Sequence, residues 1–96
     1  MIVKNMTSNK GNKIANQFII AKDNEEYFQS YDSVIAKKVT NYFFNYEQKE
    51  EKIYLDKTYW DYSVTTGKYR NIFLNETKKE TEKKIKDGIY ILTDLN

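Results

Sequence analysis

The spacing of apolar residues changes once along this chain, at Val64, and that change limits the fold more than any other feature. Before it, β-branched and aromatic residues fall into short runs broken by Asp, Asn and Glu; after it, they recur at i, i+3 and i+4. Ile14 to Lys22 and Glu26 to Tyr31 read as a hairpin turned by Asp23, Asn24 and Glu25, with Asn24 tolerating a positive φ. Ser33 to Val39 and Asn41 to Tyr46 continue the β pattern as one long bent strand, in which Tyr42, Phe44 and Tyr46 alternate with Asn41, Phe43 and Asn45. EQKEEK, from Glu47 to Lys52, reads as a solvated loop. Lys52 to Leu55 and Tyr59 to Val64 read as a further strand pair joined by Asp56, Lys57 and Thr58.

Beyond Val64, Thr65 or Thr66 can cap a short helix that contains Gly67, buries Tyr69, Ile72 and Phe73 on one face and ends near Asn75. Asn75 or Thr77 can cap a second helix running to Asp87, with Glu80–Lys84 and Glu82–Lys86 at i, i+4 and Gly88 just past its end. That helix belongs on the surface and meets the core through Thr77, Thr81 and Ile85. Ile89 to Leu92 alternates as a last strand. The expected architecture is a single α+β domain: a mainly antiparallel sheet of about five strands, one short packed helix and one charged C-terminal surface helix. Trp60, on a strand with Tyr62 and Val64, is expected to bury itself against the short helix.

With 96 residues, the chain buries roughly 65% of its unfolded surface, enough for one core and one domain over residues 1–96. Aromatic residues make up 16% of it, more than disordered chains carry. It contains no Cys and no His, which removes disulfides, thiolate metal sites, the cysteine nucleophile and the usual general base. No cofactor and no metal site is expected. The opening Met1 to Lys13 has too short an apolar run for a signal peptide or a membrane span. It is a candidate basic arm, and the expected location is cytoplasmic with no membrane contact.

Charge is uneven although the net value is only +2. Lys4, Lys10, Lys13 and Lys22 precede the first acid, and between Lys68 and Asp87 seven cations face four acids. Asp56, Asp61 and Glu76 are the candidate acid/base carboxylates, but turn formation and helix capping account for them more simply. Ser63, Thr65 and Thr66 lack an activating His and an elbow motif, and capping explains the threonines. Gly67–Lys68 lacks the rest of a phosphate loop.

FQSYDSVIAKK, YLDKTYWDYSVTTGKYRNIFLNETKKETEKKI and the closing GIYILTDLN together resemble a family of small proteins encoded by phages and mobile elements of low-G+C bacteria. The resemblance runs from about Asn16 onward, and NYFFNYEQKEEK is longer than the family's usual connection. It implies an accessory product that acts inside an infected bacterium by binding a host or defence protein, or nucleic acid. It assigns no catalytic residue.

Two binding readings follow from the residues themselves. Nine Tyr exceed what so small a core can bury with every hydroxyl satisfied, so some reach the surface as interface anchors. Tyr59, Tyr62, Tyr69 and Arg70 are the candidate protein-contacting set, and a homo-oligomer is compatible with them. The alternative is a nucleic-acid-binding module, in which Trp60, Tyr62 and Tyr69 stack bases while Lys68, Arg70, Lys78 and Lys79 meet phosphates. Both readings are non-catalytic.

Overall fold

Two residues, Asp23 and Asn24, reverse the chain between strand β2 (Lys13–Lys22) and strand β3 (Glu25–Ser30) in the computed structural model, which describes residues 1–43 and 47–96. The positive φ falls on Asp23 (53°), not on Asn24. Tyr31 and Asp32 make the next reversal, into β4 (Ser33–Phe43), with Tyr31 itself at φ 55°. The long strand expected from Ser33 is present as β4, while Phe44, Asn45 and Tyr46 lie outside the described residues.

EQKEEK is not a loop. β5 (Gln48–Asp56) takes in all of it after Glu47, with Gln48 opposite Phe43 and Glu51 opposite Thr40. Charged side chains are compatible with a strand when, as here, they stay exposed and only the backbone pairs. Nor are residues 1–13 an arm. β1 (Ile2–Thr7) pairs antiparallel with β2, and the turn after it is tied by Ser8, whose Oγ accepts from Lys10 N and Asn12 N.

The Tyr59–Val64 strand is replaced by a loop, because two short polar side chains outcompete aromatic β-propensity. Asp56 Oδ2 accepts from the N–H groups of Thr58 and Tyr59, which curls the chain at the end of β5. Ser63 Oγ then accepts from Thr66 N and starts α1 (Val64–Leu74), so that Ser63 is the cap in place of Thr65 or Thr66. α1 ends at Asn75 in the left-handed region. Thr77 and Glu80 form a reciprocal capping box for α2 (Lys78–Lys86), with Asp87 as its C-cap and Gly88 at φ 75°. The pairs Glu80–Lys84 and Glu82–Lys86 do not form: Glu80 serves the capping box, and Lys84 reaches Glu76 instead.

The chain is a single α+β domain; among the described residues six strands follow sequence order in one sheet, β1 to β5 antiparallel. β6 (Ile91–Thr93) joins β5 in parallel, which requires the helical crossover that α1 and α2 supply. Both helices lie on one face of the sheet. Phe28, Ile35, Ala36, Ile53 and Leu55 meet them there, and a bulge between Phe28 and Gln29 lets Ile35 and Ala36 bury in succession. On the opposite face Lys37 lies 5.6 and 5.8 Å from the rings of Tyr27 and Tyr54 and pairs with Glu25.

α1 buries Thr66, Gly67 and Arg70, with Phe73 stacked 5.9 Å from Phe28. Ile72, expected inward, is 55% exposed. The helix is turned this way because its buried polar groups find partners, starting with Thr66 Oγ1 at 2.9 Å from Ser30 Oγ. α2 docks through Thr81 and Ile85, while Thr77, expected to join them, is exposed and serves as the N-cap.

Candidate functional site

The connection between β5 and α1 is held in place by one buried cation. Arg70 is 1% exposed, and its Nη1 donates to the carbonyl of Trp60 at 2.7 Å and to Asp61 Oδ1 at 3.1 Å. Nη2 donates to Asn71 Oδ1, and the guanidinium lies 5.1 Å from the Trp60 ring. Lys78, at the start of α2, closes on the other oxygen of Asp61 at 2.8 Å. Burial opposes ionisation of Asp61, but hydrogen bonds and charge from Lys78 and Arg70 outweigh it and hold the carboxyl below its usual range. One carboxylate therefore ties the loop to both helices.

Above this network lies a groove of about 630 Å³ at the N-terminal end of α1. Its floor is Gly67 and Arg70, and Asn71, Lys68 and Lys78 form its polar sides. Tyr62, 49% exposed, and Val64, 92% exposed, form an apolar lip. Val64 stands there because it is the first residue of the helix after the Ser63 cap, where a side chain points out over the end. A Cβ at Gly67 would meet Arg70 Nη2 at 3.6 Å and Asp61 Oδ1 at 3.8 Å, so glycine keeps the floor open above the guanidinium.

The residues proposed for protein contact separate in space. Tyr62 and Arg70 line the groove, and Tyr59 backs Tyr62 in an edge-to-face ring contact at 5.6 Å. Tyr69 is half-buried against the core and faces a second cleft, with Lys10, Ile14 and Ile72. Arg70 is buried, so it supports the loop and is not an exposed anchor. Trp60 is likewise half-buried, and it meets α1 through Arg70 and not through a strand face.

Of the cations proposed for nucleic acid, Lys68 lines both clefts and sits 5.4 Å from the Tyr69 ring. Arg70 and Lys78 are engaged by Asp61, and Lys79 is exposed on α2 outside both linings. Lys68, Arg70 and Lys78 thus line one groove, and Lys79 stands outside it. Val64, Gly67 and Asn71 are not among the candidate partner-binding residues of the sequence; Val64 is exposed because the helix starts at the Ser63 cap and not at Thr65 or Thr66.

The three candidate acid/base carboxylates are occupied by the fold. Asp56 accepts from Leu95 N and Asn96 Nδ2 as well as from the turn after β5, and these bonds keep its carboxyl low despite burial. Glu76, with its side chain 3% exposed, accepts from Lys84 Nζ and Tyr90 Oη at 2.7 Å and from Thr81 Oγ1 at 2.6 Å. Desolvation and the bond to Glu76 push the Tyr90 hydroxyl up to about 12. Among the described residues no cluster of acids could hold a metal ion, and no helix is long and apolar enough to cross a membrane.

A family of unknown function (DUF8033) matches the chain over residues 1–88, and the protein belongs to that family. No curated protein and no solved structure matches it.

Proposed function

We propose that this is a non-catalytic binding protein that takes a protein partner at the groove beside the start of α1. The observation that carries this reading is the apolar lip: Tyr62 and Val64 are exposed at 49% and 92%, on a base fixed by the buried Arg70 network. An aromatic ring and an aliphatic side chain on a rigid support lose little conformational entropy when covered, which is the character of interface anchors. The occupation of Asp56, Asp61 and Glu76 by structural hydrogen bonds also favours binding over acid/base chemistry, which needs a carboxyl free to exchange its proton with a substrate. Engagement of Arg70 and Lys78 by Asp61 weighs against nucleic acid as the partner.

The resemblance of the segments from Asn16 onward supports a phage or mobile-element accessory role, with a host or defence protein in the bacterial cytoplasm as the partner. Affinity capture from the lysate of such a host tests the reading. Tyr62→Ala combined with Val64→Ala, with circular dichroism unchanged, is expected to abolish capture. A partner retained by the double variant would overturn the groove as its site.

A further inference from the structure

We propose, resting on the groove as a protein-binding site, that its occupant is an acidic peptide segment of the partner. A carboxylate of that segment sits near Lys68 and the start of α1, and a neighbouring apolar side chain covers Tyr62 and Val64.

Charge makes the first part of the case. The lining carries three cations, Lys68, Arg70 and Lys78, against a single acid, Asp61. Asp61 is already shared by Arg70 and Lys78, and Lys68 makes no ion pair among the described residues. α1 adds to this surplus. It has no acidic residue in its first turn, whereas α2 carries Glu80 there, and the positive end of the α1 dipole faces the groove, offset in part by Asp61 beside it. The floor contributes an independent observation. Arg70 lines the groove from below, and Gly67 places no side chain over its guanidinium, so its charge is felt in the groove.

The lip decides between anions. A phosphate backbone would need a line of cations, and it gains little from a lip of one ring and one aliphatic side chain, Tyr62 and Val64. A peptide supplies both a carboxylate and an apolar side chain within one turn or strand repeat.

Selection of random peptides of about 12 residues on the immobilised full chain tests this. Enriched peptides are expected to be acidic with at least one apolar residue, to shift the amide resonances of Gly67, Lys68 and Asn71, and to bind about tenfold more weakly to Lys68→Glu, with Lys68→Gln intermediate. Neutral or basic peptides shifting those same amides would overturn the acidic partner while leaving the protein-binding groove intact. Affinity unchanged in Lys68→Glu, or stronger binding of oligothymidylate at this site, also overturns it. If no peptide enriches, the inference fails; the groove reading fails as well only if Tyr62→Ala with Val64→Ala still captures a partner.

Discussion

Arg70 holds Trp60 twice, donating to its backbone carbonyl at 2.7 Å and placing the guanidinium 5.1 Å from its indole ring. A residue ten positions away thereby fixes both the path of the loop after β5 and the side chain that packs beneath it. This contact joins stability to site geometry, since the same guanidinium lies under the groove.

Arg70→Ala is therefore expected to destabilise the protein by about 3 kcal/mol, the low end for breaking a buried ion pair, because Asp61 keeps Lys78 and some solvent. Arg70→Lys should recover little, as an ammonium cannot reach Trp60, Asp61 and Asn71 together. Urea unfolding of the three proteins measures this. Equal midpoints for wild type and Arg70→Lys would show that the fork is not needed.

The Glu76 cluster predicts the pH profile. Glu76 is held below its ordinary 4.5, so its stabilisation is complete above that value and is lost as pH falls through the folded-state pKa. Tyr90 is raised from 10 to about 12, so its contribution is complete below pH 10 and disappears as pH rises to about 12. Thermal melts should decline on both sides. Glu76→Gln should flatten the acid limb, less than fully because Asp56 and Asp61 are also lowered, and Tyr90→Phe should flatten the alkaline one.

Gly67 is a helix-interior glycine whose added Cβ would meet its nearest neighbours at 3.6 and 3.8 Å, ordinary contact distances. Gly67→Ala should thus raise stability by about 0.5–1 kcal/mol through helix propensity. Gly67→Leu should lower the melting temperature, because further atoms press on Arg70 and Asp61. A destabilised alanine variant would mean that the guanidinium cannot accept even a methyl group.

Gln17 is 1% exposed, and neither atom of its amide has a hydrogen-bond partner among the described residues. Gln17→Met, of similar shape, should stabilise the protein by about 1–2 kcal/mol by removing a buried polar group. Calorimetry decides it, and a fall in melting temperature would show that the amide is satisfied in solution.

Local chemistry made much of the fold legible. Thr77 and Gly88 bound α2 because each acts within a few residues of itself, and the Asp23–Asn24 reversal and the single long strand from Ser33 follow from propensity on the same scale. The segment from Tyr59 to Val64 was misread because its aromatics favour a strand, while the polar contacts that bend it belong to Asp56 before it and Ser63 within it. β1 was missed because Ile2, Val3 and Met6 are a thin apolar signal, and that strand is decided by pairing with β2. The groove lies further from sequence still. Tyr62 and Arg70 were visible as candidates, but only packing could bury the Arg, expose Val64 and bring Lys78 to Asp61. Sequence alone set the α+β class, the end of α2 before Gly88 and the turn role of Asp56, because those depend on interactions a few residues long. Tertiary structure alone decided which side of α1 faces inward and which cations remain free, because burial of Thr66 and Arg70 depends on Ser30 and Trp60, residues that the chain brings near only when folded.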